Sequence, residues 1–459
     1  MVAIRKQRPY FRVQVFIIFS ILLAKGLSSA PPIYKTISRE QNASYAPKNE
    51  DLVRIWIVFV DQGDGILVQL PSKYNYSFGQ NGRPEQVDVV VDGGSFDESN
   101  EKLMLHFLHA IYPQSPITIE HVVLSHHDSD HVKGLTKILL DPSIAVQHVY
   151  HNGLASYRPQ GEILNDIQNS NGAILDKKKN KITKIMAPLD RDGKTLRSQY
   201  IIGNLGQLRS GYDQNVFIDL YNDFAQAVTQ KTEPHAVLDF FRAWERRGFV
   251  DEAEASEHKA LPDVSFALIW PLEKLSPYKK EWGYTINGNS VTFKLKYRDF
   301  EMLFPGDQNE LSEDALIQHL ISIGKINELN CDVLKAPHHG SKHNLGAFFN
   351  AVQPVLTVAS MGRQGIFTNW KHPSSEVIQW AGGAHRFYST YLHERVFSWE
   401  KMKSREYKNG MIEKTHIMIE TDGNWFRLVE LDASETDLNR IPPVEQTRRG
   451  NGTCWIKAK

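Results

Sequence analysis

The stretch 122–134, Val-Val-Leu-Ser-His-His-Asp-Ser-Asp-His-Val-Lys-Gly, constrains this chain more than any other. Residues 121–124 read as a buried apolar strand that stops abruptly at a run of polar side chains. A strand that ends in this way passes into a loop that delivers side chains to one point, and sites sit in loops of that kind. His126, His127, Asp128, Asp130 and His131 are all imidazoles or carboxylates. Alternate positions of a tight turn point the same way, so His126 and Asp128 are expected on one metal ion, and Asp130 and His131 on a second. Nitrogen and oxygen donors without a thiolate suit zinc, manganese or iron. A solvated loop that happens to be rich in histidine is the bland alternative, and the motifs downstream weigh against it.

Other apolar runs end in the same manner. Residues 53–60 are a β-branched core strand that leads into the turn Asp61-Gln-Gly-Asp-Gly65, and residues 66–70 return as the second arm of a hairpin. Residues 87–91 are a third strand, ending at Asp92-Gly-Gly94. Residues 101–112 carry Leu103, Phe107, Leu108 and Ile111 at helical spacing, which places His106 and His109 on a helix face and not at a metal. A short helix over 135–140 and a strand over 146–150 come after the central loop. Residues 265–270, 291–297 and 301–304 are again strand-like. Phe304-Pro-Gly-Asp307 then puts a carboxylate after a glycine turn, and Pro337-His-His-Gly-Ser341 puts two imidazoles after a further strand. Trp370-Lys-His-Pro373 closes the set.

At 459 residues the chain is long for a single domain, which leaves two or three domains, or one large sandwich with insertions. Residues 160–262 read as an inserted helical lobe. It carries the solvated run Lys177-Lys-Lys179 and two amphipathic helices, over 215–230 (Phe217, Leu220, Tyr221, Phe224) and 235–247 (Leu238, Phe241, Trp244). A composition 41% hydrophobic and 23% charged excludes a disordered chain and a multi-span membrane protein. Basic and acidic residues both number 53, so a polyanion would need a local patch, not a general basic field. The two cysteines, Cys331 and Cys454, exclude a disulfide framework and a cysteine-based zinc module, and Cys331 reads as a small buried hydrophobe.

At the N-terminus Arg5, Lys6, Arg8 and Arg12 precede an apolar segment over 13–24 and then small residues, the layout of a signal peptide over 1–30. Pro31 and Pro32 disfavour a cut after Ala30 and point to Gly26 or Ser28. Export to a periplasmic or extracellular location is the expectation, with no stable membrane span after cleavage. An N-terminal membrane anchor is the alternative, although the segment is shorter than the roughly 20 residues of a comfortable span. Residues 31–50 read as a polar linker and 431–459 as a C-terminal tail.

Taken together these motifs resemble the metallo-β-lactamase fold, and within it the branch typified by the hydrolase domain of the competence protein ComEC. The resemblance covers residues 51–430, interrupted at 160–262. The branch signature His-x-Asp-x-Asp-His stands here as His126, Asp128, Asp130 and His131; Gln62-Gly-Asp64, Asp92-Gly-Gly94, Asn289-Ser290, Gly306-Asp307 and His338-His-Gly-Ser-Lys342 match it in order. The resemblance implies an α/β (α+β) fold, a four-layer αββα sandwich. It implies two divalent metal ions, zinc or manganese, with His126 and Asp128 on the first, Asp130 and His131 on the second, Asp307 bridging, and His338 or His339 completing the second. Where the first site would gain a third imidazole, this chain has Asn289-Ser290.

The activity so implied is two-metal hydrolysis through a bridging hydroxide, acting on a phosphodiester in an anionic small molecule or nucleic acid. Asp130 belongs to this machinery, Ser341 and Lys342 are expected to hold an oxyanion, and His372 to position substrate or protonate a leaving group. An ester, lactone or lactam hydrolase on the same centre is one alternative, and a non-catalytic binding protein another. The turn at 61–65 is shorter than the branch pattern, and Asp64 is expected to support the metal ligands from behind.

Overall fold

The computed structural model describes residues 39–42, 44–72, 76–77, 84–85, 87–113, 116–231, 237, 239–243, 248–249, 263–362, 372–383, 386–391, 414–433 and 455–458. The expected signal peptide over 1–30 and Cys454 lie outside the described residues. Among the described residues no helix is long and apolar enough to cross a membrane.

Side-chain alternation builds the layers. In the strand Val53–Ile57, Val53, Ile55 and Ile57 join one apolar cluster while Trp56 joins another. Asp88–Val91 divides in the same way, Val89 and Val91 to the first cluster and Val90 to the second. A strand apolar on both faces has to be covered on both. The inner cluster is completed by Phe293, Leu295, Tyr297, Met302, Phe304 and Val333 of a second sheet, so two sheets pack face to face. The outer face of the first sheet is covered by the helices Leu103–Ile111, Ser129–Leu140 and Asp219–Gln230. That of the second is covered by Glu310–Ser322, Gly346–Val352 and Ser375–Trp380. The result is a mixed α/β sandwich, with each fully buried Val, Leu, Ile or Phe stabilising it by about 1.5–3 kcal/mol. Cys331 is one of these core side chains, fully buried.

The first sheet runs in the order Gln41–Asn42, Trp455–Lys457, Trp425–Asp432, Thr415–Thr421, Val53–Ile57, Ile66–Gln69, Asp88–Val91, Ile117–Val123, Ile144–His151, Asp239–Arg242. Its last four strands are parallel. The second sheet runs Gly248–Phe249, Val264–Trp270, Thr292–Tyr297, Phe300–Phe304, Val333–Lys335, Leu356–Ala359, Phe387–Ser389, and its last four strands are also parallel. The polar clusters lie just past the carboxyl ends of these parallel strands, where α/β sheets leave a crevice for ligands.

Three expectations need correction. Residues 235–247 are not one helix, because Asp239–Arg242 is a strand paired in parallel with Ile144–His151. The spacing of Leu238, Phe241 and Trp244 mimics a helix, but the open edge of the sheet takes the segment and buries Phe240 and Arg242 on alternate positions. Residues 160–262 are also not helical throughout, although Leu205–Asp213 and Asp219–Gln230 are helices. They include the hairpin Ala173–Lys178/Lys181–Pro188, and Tyr221, Phe224 and Val228 belong to the same apolar cluster as Leu135 and Ile138 of the central helix. Finally, the linker and tail are partly built into the sheet, since Gln41–Asn42 pairs with Trp455–Lys457, which pairs with Trp425–Asp432.

Candidate metal centre

The central stretch is less of a loop than its polarity suggests. The helix Ser129–Leu140 begins inside it, with Asp128 at its N-cap, so Asp130 and His131 are fixed by a first helical turn. That helix is seated by backbone contact: Gly93 N–H donates to His131 O at 2.9 Å and Gly134 N–H to Gly94 O at 3.0 Å. A Cβ on Gly134 would stand 1.9 Å from Gly93 O, and one on Gly63, where φ is +120°, would stand 1.8 Å from Asp130 O. Only glycine permits these approaches. The turns after three different strands are thereby locked under one helix N-terminus.

His126, His131 and His339 are each held through Nδ1 and leave Nε2 for the centre. His131 Nδ1–H donates to Asp92 Oδ2 at 2.8 Å, and Asp92 also accepts the Ser125 N–H at 2.7 Å and the Ser125 hydroxyl at 2.5 Å. His339 Nδ1–H donates to Ser360 O at 2.8 Å. His126 Nδ1 lies 3.0 Å from Ser125 Oγ and 3.4 Å from Ser290 Oγ, and Ser290 Oγ also accepts the Asp307 N–H at 3.1 Å. Outer partners of this kind fix tautomer and ring orientation in metal-binding histidines.

The Nε2 atoms of His126, His131 and His339 and Asp307 Oδ1 are buried without a hydrogen bond. Asp307 Oδ2 stands 3.3 Å from His131 Nε2, 3.2 Å from His339 Nε2 and 3.8 Å from His338 Nε2, and Asp130 Oδ2 stands 3.4 Å from His339 Nε2. His126, His131 and Asp307 form one group whose ligand atoms all lie within 4.8 Å of one another; Asp130, His131 and His339 form another. Lone pairs buried this way and aimed at carboxylates are a donor set for a cation, and the residues fit a metal ion.

The structure brings His126, Asp130, His131, Asp307 and His339 together. Of the two adjacent imidazoles, His339 enters the ligand groups, and His338 stays at the rim with its side chain 23% exposed. Both take positive φ, +46° and +54°, a strained pair within the Pro337–Gly340 turn. Asp128 stands outside the groups of three, its Oδ2 3.8 Å from His126 Nε2. His127 turns away from the site. It is buried, lies 3.0 Å from Ser156 Oγ and packs edge-on against Tyr221 and Trp282.

A cavity of about 500 Å³ opens over the cluster. It is lined by Asp128, Asp130, Asp307 and His339, and also by Ser341, Lys342, His343 and His372. The rings of His338 and His372 are 5.5 Å apart. The expected anion-holding and proton-handling residues therefore face the same space as the ligands. His106 and His109 lie exposed on their helix, as expected.

Sequence patterns do not single out three further contributors as site residues. Asn287 lines the cavity, and with its amide oriented toward the surrounding acceptors Nδ2 donates to Asp128 Oδ2 at 3.0 Å and to Gly283 O at 3.3 Å. Asn289, by contrast, directs its amide at Thr285 O and Ser276 O. Lys335 is buried beside Asp64 and Asp307, and Asp92 anchors His131. The Asp92-Gly-Gly94 turn is a visible motif, but nothing in it announces which imidazole the carboxylate meets.

Charge coupling dominates the ionisation of the cluster. Burial pushes the Asp130 and Asp307 carboxyls up, yet the neighbouring imidazoles outweigh it and hold both well below the usual carboxylate range: His131 then His339 at Asp130, His339 then His131 at Asp307. In return His131 and His339 are raised well above an ordinary histidine despite burial, mainly by Asp307. Asp128, partly desolvated and next to the Asp130 carboxylate, is pushed up to about 7, although its side chain keeps 36% exposure. His126 is driven well below its ordinary value by burial and by the charge of His131. A metal ion binding here displaces protons from His131 and His339.

No protein-family model and no curated protein matches this chain.

Proposed function

We propose that this chain is a metal-dependent hydrolase of the metallo-β-lactamase type, similar to the ComEC hydrolase branch, acting on phosphodiesters with a pair of divalent ions, zinc or manganese. The observation that carries the reading is the convergence of three buried Nε2 atoms lacking a hydrogen bond with Asp130 and Asp307. When bound, such a metal pair supplies an activated water at neutral pH and polarises the scissile centre. His126, Asp128 and Asp307 would hold one ion, and Asp130, His131, His339 and Asp307 the other. Oxygen donors from three carboxylates suit manganese as well as zinc.

The remaining steps belong to this chain's own side chains. Lys342 and Ser341 face the cavity and hold an anionic group of the substrate against the cluster. His372, buried and driven well below an ordinary histidine by burial and by His338, is neutral at working pH. It therefore accepts a hydrogen bond or positions substrate before it donates a proton. Lys342 and His343 at the cavity of a chain without net charge supply the local patch that an anionic substrate needs.

The test is to incubate metal-loaded protein in parallel with single-stranded DNA, double-stranded DNA, bis-p-nitrophenyl phosphate and nitrocefin, with Asp307→Ala as control. Hydrolysis of the diesters that chelation abolishes is expected. Turnover of nitrocefin alone would favour the lactam reading, and purified protein that binds no divalent ion would remove the enzyme.

A further inference from the structure

Lys335 ends the strand Val333–Lys335 with its side chain 1% exposed, deep inside a cluster otherwise built to receive metal ions. Its Nζ pairs with Asp64 Oδ2, stands 3.7 Å from Asp307 Oδ1 and donates to Gly306 O at 3.2 Å. The two oxygens of Asp307 therefore face different partners. Oδ2 is the one that meets the Nε2 atoms of His131, His339 and His338, while Oδ1 lies toward the ammonium. Two of the four groups with metal-ligand geometry contain Asp64, one with Asp307 and His339 and one with Asp92 and His131. At Asp64 the chain has already placed a cation of its own.

Resting on the hydrolase reading above, we propose that Lys335 is a positioning residue of the metal centre, holding Asp64 and Asp307 Oδ1 so that Asp307 meets the metal ions through Oδ2 alone. Turning Oδ1 onto a metal would leave a buried ammonium with one carboxylate fewer, an arrangement that buried ion pairs resist. A carboxylate so restrained would offer the ions one oxygen and keep the other beside the Lys335 ammonium. Lys335 thus governs how tightly the second ion is held and how strongly the two ions sense each other.

The experiment compares wild type with Lys335→Met/Asp64→Asn, which removes both members of the pair and leaves no lone buried charge. Mn²⁺ binding isotherms and electron paramagnetic resonance are recorded on each, with thermal unfolding as the check of folding. Wild type is expected to show an exchange-coupled Mn²⁺ pair. The double variant is expected to keep the first ion, lose about tenfold or more in affinity for the second, and show altered coupling. An unchanged spectrum and unchanged second-ion affinity in a folded variant would overturn the role of Lys335 while leaving the hydrolase reading intact. Wild type that binds no Mn²⁺ overturns both. If the variant does not fold, a crystal structure of Mn²⁺-loaded wild type decides: Asp307 ligating through Oδ2 with Nζ beside Oδ1 supports the assignment, and Oδ1 on a metal refutes it.

Discussion

Glu420 and Asp307 are both buried carboxylates, and the chain meets their charges in opposite ways. Glu420 lies in the strand Thr415–Thr421, where Arg54 Nε donates to Oε1 at 2.9 Å and Arg427 Nε to Oε2 at 2.7 Å. Every lone pair that matters is answered by guanidinium. Asp307 has Oδ1 without a hydrogen bond and Oδ2 turned toward imidazole nitrogens that are themselves without one. The first cluster is complete and does one thing, joining two neighbouring strands across their register. The second leaves three imidazole Nε2 atoms and Asp307 Oδ1 without a hydrogen bond, a donor set that could hold a metal ion. A buried charge that its own fold satisfies marks structure, and a cluster of buried donors left open calls for a partner such as an ion or a water.

The sharpest way to break that contrast is to remove each carboxylate. Asp307→Ala is expected to lower metal-dependent hydrolysis by roughly a thousandfold or more, the several kcal/mol that metal positioning contributes to a transition state. Metal content by mass spectrometry should fall with it. Glu420→Ala is expected to destabilise the fold by about 3 kcal/mol, because Arg54 and Arg427, half-buried with side chains 16% exposed, would lose the counter-charge they share. Denaturant unfolding of metal-free protein reads this second effect. If metal-free Asp307→Ala loses as much stability as Glu420→Ala, the two clusters are alike and the centre is merely structural.

The sequence made the donor side of this contrast readable and left the holding side dark. His126, Asp130 and His131 sit within six residues, and Asp307 and His339 each come after an apolar run, so strand ends alone bring them together. Lys335 reads as one more residue of such a run, and only its register beside Phe300–Phe304 puts Nζ between Asp64 and Asp307. Asn287 meets Asp128 across a sequence gap that no local pattern spans. The strands Val53–Ile57 and Asp88–Val91 were legible as apolar runs, while the layering was expected only from the resemblance. The edge strand Asp239–Arg242 was not legible, since a sheet edge that accepts a strand is a property of Ile144–His151 and not of the segment itself.

A gentler change tests whether the holding partners matter. Asp92→Asn keeps an acceptor for the Ser125 N–H but removes the charge that orients His131. Losses of about 10–100-fold in metal affinity are expected, with little change in unfolding of the metal-free protein. Isothermal titration with Mn²⁺ separates the two, and unchanged affinity would mean that His131 needs no anchor.

Glu313 completes the comparison, as a buried carboxylate met by neutral donors alone. Leu345 N–H donates to Oε2 at 2.5 Å and Asn344 Nδ2 to Oε1 at 3.0 Å, with no cation in contact among the described residues. Burial outweighs these bonds and raises its carboxyl well above the ordinary value of 4.5. Because the folded state then binds the proton more tightly than the unfolded chain, this group's contribution to stability is fully present below pH 4.5 and is lost as pH rises toward the folded value. Glu313→Gln cannot ionise, so its melting temperature should gain on wild type as pH is raised from 4 toward neutrality. A parallel pair of melting curves across that range would show that neutral donors suffice for a buried carboxylate, and the cation that Arg54 supplies to Glu420 would no longer explain the difference between complete and open clusters.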